Sequence, residues 1–198
     1  MTAVAAIVEG DGEVAAVPIL LRRLAQWLTP GVQFSVLPPI RVRRDRFLNR
    51  EHEFRRMLLL AAAKCGDDGW VLVLLDADDD CPADAAPAIL ARALDVIPHR
   101  RISIVLANRE YESWLVAAAR SLEGRRGFRR VSAMADDCES VRNAKGWIAE
   151  CMEDHAYRET TDQPAFTAVM DLTATHQASR SFRKLCSEWR RQTGMRAE

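Results

Sequence analysis

The sequence predicts an α/β fold, a parallel sheet of about four strands with helices on both faces, followed by a helical C-terminal extension. Three observations carry this expectation. Short apolar runs alternate with stretches of helical period through the first half of the chain, which is the pattern of βαβ units. One run, Trp70-Val71-Leu72-Val73-Leu74-Leu75, is apolar throughout rather than at every second residue, as a central strand covered on both faces must be. After Gly124 only helical patterns remain. The 198 residues, 48% of them hydrophobic, suffice for one sizeable core but would be cramped as two complete domains. The expected division is a core over 1–123 and a helical extension over 124–198 packed on it.

Expected strands are Ala3–Val8, Gln33–Leu37, Trp70–Leu75 and Ile102–Leu106. Between the first two, Val14, Val17, Leu21, Leu24 and Leu28 recur at helical spacing. Pro18 falls inside that pattern, so the helix is expected to start near Ala15–Val17 or to open irregularly. Phe54, Leu58, Ala61 and Cys65 mark the next helix. Asp84–Val96 follows, with Ile89, Leu90 and Leu94 as its apolar face and Pro98 as its stop. Glu112–Leu122 is expected to be helical, with Trp114 and Leu115 in the core. Further helical segments surround Cys138–Met152, Ala165–Asp171 and Ser179–Thr193, with no strand among them.

Formal charge is zero, from 28 acidic and 28 basic residues, so affinity for nucleic acid would have to come from local clusters. The apolar start, Met1 to Val8, has no basic flank and meets Glu9 at once, unlike a signal peptide or a membrane span. A cytoplasmic protein without membrane contact is expected. Five cysteines without a C-x-x-C pair and four scattered histidines suggest reduced thiols and no soft-metal site.

The chemistry concentrates in acids at strand ends. The first strand runs into Val8-Glu9-Gly10-Asp11-Gly12-Glu13, where a tight glycine turn lets Glu9 and Glu13 face one crevice. The third ends Leu75-Asp76-Ala77-Asp78-Asp79-Asp80, and extended alternation would send Asp76, Asp78 and Asp80 to one side, leaving Asp11 and Asp79 in solvent. Each run alone is commonly a helix cap or a solvated loop. Together they lie where α/β sheets bind ligands, and their mutual repulsion calls for a hard divalent ion, Mg2+ or Mn2+. The fourth strand leads to Glu110 and Glu112, which either join the crevice or serve the next helix's dipole.

Val8-Glu9-Gly10 with Glu13, followed by a strand closing on Asp76-Ala77-Asp78, resembles the Toprim signature of topoisomerases, primases, recombination proteins and OLD-type (overcoming lysogenization defect) nucleases. Arg109-Glu110-Tyr111-Glu112-Ser113-Trp114-Leu115 and Ser179-Arg180-Ser181-Phe182-Arg183-Lys184-Leu185 are similar to the bacterial Toprim-like family known as domain of unknown function 4276, often found beside ATPase genes in defence-type loci. This likeness spans most of the chain and implies a Toprim-like, Rossmann-like sheet. It also implies that Glu9 serves as acid/base or metal ligand, that Asp76 and Asp78 bind magnesium at the catalytic centre, and that Glu13 fits the extra glutamate that OLD-type nucleases use for a second metal; the strand-end reading adds Asp80 and Glu112 as optional members of the metal set. OLD-type nucleases also use a downstream lysine; of the three lysines here, Lys64, Lys145 and Lys184, the candidate is Lys145.

The function this implies is Mg2+- or Mn2+-dependent cleavage of nucleic acid, DNA rather than RNA. Arg41, Arg43, Arg44 and Arg46 would grip phosphates, with Arg125, Arg126, Arg129 and Arg130 as a second supply. The alternative is a non-catalytic Toprim-like regulatory subunit of an ATPase complex, because the chain has no G-x-x-x-x-G-K-[ST] loop of its own. A partner ATPase and a homo-oligomer are compatible with either. A receiver-type phosphoacceptor fits less well, since the fourth strand ends in Asn108-Arg109-Glu110 without the lysine such a site needs.

Overall fold

A computed structural model describes residues 2–129 and 137–194. Its first part runs β1 (Thr2–Val8), α1 (Asp11–Leu28), β2 (Phe34–Val36), β3 (Ile40–Arg41), α2 (Arg44–Asn49), α3 (Glu51–Cys65), β4 (Trp70–Asp76), α4 (Pro82–Val96) and β5 (Arg101–Ala107). Helices follow: α5 (Glu112–Ala117), α6 (Ala119–Leu122), α7 (Ala144–Glu150), α8 (Glu159–Val169), α9 (Leu172–Ala178) and α10 (Arg180–Thr193). The fold is α/β, as expected, with five strands instead of about four. The added strand is the two-residue β3.

All strands are parallel, in the order β2-β1-β4-β5, with β3 pairing the end of β1 beyond β2. The continuously apolar β4 lies between β1 and β5. Its side chains alternate between two separate cores. Trp70, Leu72 and Leu74 join Val4, Ala6, Val8, Val105 and Ala107 under α1 and the C-terminal helices. Val71, Val73 and Leu75 join Ala5, Ile7, Ile102, Ile104 and Leu106 under α2, α3 and α4. The first core also contains Phe128, Ile148, Phe166, Phe182 and Trp189, so the last third of the chain shares a hydrophobic interior with the sheet. Ring contacts from Trp189 to Trp70 and Phe34, and a hydrogen bond from Trp189 Nε1 to Thr29 Oγ1, fix α10 across that face.

Several local expectations change. α1 starts at Asp11 and carries Pro18 within it, because packing of Val17, Leu20, Leu21 and Leu24 outweighs the backbone hydrogen bond that proline cannot donate. Arg44–Asn49, which holds two of the arginines expected to grip phosphates, forms α2, anchored by buried Phe47. Leu94 is exposed and Ala93 faces the core in its place, while Ile89 and Leu90 pack against the core partly buried. The helix expected over Glu112–Leu122 breaks at Ala118 into α5 and α6. α7 is shorter than expected, and α9 had no counterpart in the expected elements. Among the described residues no strand follows β5 apart from an isolated antiparallel bridge of Phe128 and Met152, and all five cysteines are unbridged. No described helix is long and apolar enough to cross a membrane.

α8 lies so close to α1 that a Cβ on Gly12 would stand 2.1 Å from Gln163 Oε1 and 3.0 Å from the Glu159 carbonyl oxygen. Gly12→Ala is therefore expected to destabilise the fold by about 1–3 kcal/mol in urea unfolding, through displacement of α8. An unchanged midpoint would show that α8 yields without cost.

Candidate active site at the ends of β1 and β4

β1 and β4 are neighbours running the same way, so Glu9, just past β1, and Asp76, the last residue of β4, leave the sheet at one edge. The turn into α1 is tight. Gly10 is extended, and Glu13 folds back over it so closely that a Cβ at Gly10 would lie 2.3 Å from Glu13 Oε2. Glycine there is a condition of burying Glu13, which is only 5% exposed.

The acids divide into two groups. In the inner group Asp76 accepts the backbone N–H of Tyr111 at 2.8 Å, and Glu112, on the first turn of α5, is fully buried. Glu112 Oε1 accepts Tyr157 Oη–H at 3.0 Å and Gln163 Nε2–H at 3.1 Å. Burial pushes the Asp76 carboxyl well above the usual range, and the negative charges of Glu112 and Glu13 add to the effect. Burial likewise raises Glu112, to about 7, against the opposing pull of Lys145. Lys145 is the cation of this group: burial alone would lower its pKa, but Glu112, Glu159 and Asp76 raise it, and its Nζ pairs with Glu159 at 3.2 Å.

In the outer group Glu9 is raised by burial and by Asp78, with Arg44 opposing. Arg44 bridges Asp78, at 3.3 Å, and Asp80, and its side chain is only 16% exposed. The extended alternation expected from Asp76 to Asp80 does not persist. β4 ends at Asp76, and Asp78 adopts the left-handed φ of 52°, its N–H bonded to the Arg109 carbonyl. Asp76 consequently looks inward while Asp78 and Asp80 are gathered by Arg44.

Of the expected phosphate-binding arginines, Arg44 is thus part of the acid cluster and Arg41 pairs with Asp11 at 3.0 Å. Arg43 and Arg46 are exposed and carry no ion pair among the described residues. Arg126 pairs with Asp162 and Arg129 with Glu153, while Arg130 lies outside the described residues. Glu110 does not enter the crevice as a free carboxylate; its Oε2 accepts the Lys145 backbone N–H at 3.2 Å. Tyr157, Glu159 and Gln163, absent from the expected site, come from the extension and complete the inner group. Nothing in their local sequence marks them.

Among the described residues no group of three histidine, cysteine, aspartate or glutamate side chains is arranged to hold a metal ion as it stands. The donor chemistry nevertheless suits a hard cation. Oε2 of Glu9, of Glu13 and of Glu112 are all buried without a hydrogen-bond partner, as is Oε1 of Gln163. Buried acceptors left unpaired are costly, and carboxylates that raise one another's pKa are relieved by protons or by a divalent ion.

A family model described as domain of unknown function (DUF4276) matches residues 8–189. The chain belongs to this family. The DUF4276 match starts at the last residue of β1 and ends at Trp189 in α10, so it takes in every acid described above together with Lys145. No curated protein and no solved structure matches the chain.

The Ser179-Arg180-Ser181 stretch of this DUF4276 chain has a structural role. Ser179 caps α10 by accepting the Phe182 N–H, and Ser179 and Ser181 both donate to Glu139, which also accepts from Asn108 Nδ2. Burial would raise the Glu139 pKa, but these donors, with the Ser181 N–H foremost, hold it below the usual range. Trp114 Nε1 donates to Ser181 Oγ at 2.9 Å, tying α10 to α5 and to the loop after β5.

Because Glu112 is raised from 4.5 to about 7 on folding, the folded chain holds a proton that the unfolded chain has released in this window. Its contribution is full below pH 4.5 and is lost as pH rises through about 7. Glu112→Gln is expected to flatten the fall in urea stability across that window, by up to about 3 kcal/mol. Parallel pH profiles for the two proteins would show that Glu112 is not the titrating group.

Proposed function

We propose that this DUF4276 protein is a Toprim-like, Mg2+- or Mn2+-dependent nuclease. The observation that carries the reading is the grouping of Glu9 and Glu13 after β1, Asp76 at the end of β4 and Glu112 at the start of α5, with Oε2 of Glu9, Glu13 and Glu112 buried without a partner. The likeness of Val8-Glu9-Gly10, Glu13 and Asp76-Ala77-Asp78 to the Toprim signature supports it. The same reading expects a cytoplasmic protein that acts on DNA and works beside an ATPase.

Glu13, Asp76 and Glu112, with Glu9 and Asp78 at the rim, would hold the ion. When bound, the ion supplies Lewis acidity toward water and the phosphodiester oxygens. Glu9, whose pKa is raised and whose Oε2 is free, is suited to take a proton from the attacking water. Lys145 keeps its charge and is suited to offset negative charge building on the phosphate. Arg43 and Arg46 on and beside α2 would guide the nucleic-acid backbone, while Arg44 holds Asp78 and Asp80 in place.

Purified protein with DNA or RNA and Mg2+ or Mn2+ is expected to cleave, and Asp76→Ala combined with Glu9→Gln to abolish cleavage while the far-ultraviolet circular dichroism is retained. Cleavage unaltered in the double variant, or absent from the wild type with either ion, would overturn the reading. Replacing Arg43 and Arg46 by alanine should weaken DNA binding and reduce the slope of log K against log salt by roughly 2. An unchanged slope would mean that neither arginine meets a phosphate.

A further inference from the structure

β5 is the outer strand of the sheet, paired only with β4 among the described residues. Successive residues of a strand turn their backbone groups to alternate sides. The Ala107 carbonyl accepts the Ala77 N–H, so residues 103, 105 and 107 face β4. The Ile102 carbonyl instead accepts Gln192 Nε2–H at 3.2 Å and an Arg191 N–H at 3.3 Å, both from α10. Residues 102, 104 and 106 therefore face outward. α10 caps the first of these and no more: among the described residues nothing is bonded to the outward N–H and C=O of Ile104 or Leu106.

A groove of about 520 Å³ runs along this open edge. α4 overhangs it from one face of the sheet with Ala83, Ala86, Pro87 and Leu90, and α10 overhangs it from the other with Arg180 and Lys184. Of the acids on the α10 side, Glu188 is balanced by two cations, whereas Glu139 keeps its charge among neutral donors. Glu139 takes its donors from Asn108, Ser179 and Ser181, and Glu188 is bound by Ser103, Lys184 and Arg191. Arg180 is exposed and has no ion pair among the described residues, so it is an uncommitted cation at the rim.

We propose that this groove docks an extended segment of a partner protein, which adds a strand to β5 beside Ile104 and Leu106 and sets a carboxylate against Arg180. Paired N–H and C=O groups recurring at about 7 Å along the floor are the complement of another strand, not of a compact small molecule. Unpaired edges in an enclosed setting are costly, which gives the added strand its driving force. Alternate side chains of the segment would press on the apolar α4 wall.

The test is fluorescence polarisation of the whole protein with a labelled hexapeptide library in which valine alternates with variable residues and the last residue is aspartate. The library is expected to yield binders whose affinity falls about tenfold or more when the edge-facing amides are N-methylated, and falls again in Arg180→Ala. Ala86→Trp, which fills the groove, should abolish binding; should that variant unfold, the N-methylated peptides and Arg180→Ala still decide the matter. No binder in the library, binders indifferent to N-methylation, or a self-associated protein whose own β5 edge excludes the peptides would each overturn the proposal, the second in favour of a small apolar ligand and the third in favour of a second copy of the chain.

Discussion

Several carboxyl groups are enclosed at the ends of two neighbouring parallel strands, and much of the surrounding structure answers to the cost of holding them there. A buried carboxylate loses most of its hydration, and each added acid makes the others harder to ionise. The protein meets this in two ways. Burial raises the pKa of the inner acids Asp76 and Glu112, which favours their protonated forms, and donors are brought from distant parts of the chain: Lys145 from α7, Tyr157 ahead of α8 and Gln163 within it. At the rim Arg44 holds Asp78 and Asp80.

This requirement explains why the helical last third shares the first core with the sheet. α8 must lie against α1 for Gln163 to reach Glu112, and the two glycines of the first turn make room for it. Gly10 admits the Glu13 carboxylate, and Gly12 admits Gln163 and the α8 backbone. α10 in turn fixes the loop after β5 through Glu139, Asn108 and Ser181, and that loop carries both the Tyr111 N–H bonded to Asp76 and the start of α5 with Glu112. The acid crevice is thus assembled by the whole chain.

Much of the fold was legible because its signals are local. The unbroken apolar run of β4 reported a strand buried on both faces, and the helical spacing of Phe54, Leu58, Ala61 and Cys65 reported a helix with one buried side. Local signals failed where packing decided. Phe47 makes a helix of an arginine-rich stretch, the environment of Val17 to Leu24 tolerates Pro18, and Ala93 replaces Leu94 as the contact of α4.

The same division applies to the crevice. The sequence by itself determined that Glu9, Glu13 and Asp76 would share a sheet edge, because parallel strands end on the same side and a glycine turn returns the chain toward it. It also singled out Lys145, although only the fold explains that choice, through Glu112, Glu159 and Asp76. Tertiary structure alone decided that Asp78 departs from the extended alternation, that Arg44 serves the acids instead of standing free for phosphates, and that Tyr157 and Gln163 complete the inner group. The physical reason is that spacing along the chain fixes which side of an element a residue occupies, whereas the pairing of buried charges depends on which distant donors packing brings within hydrogen-bond reach.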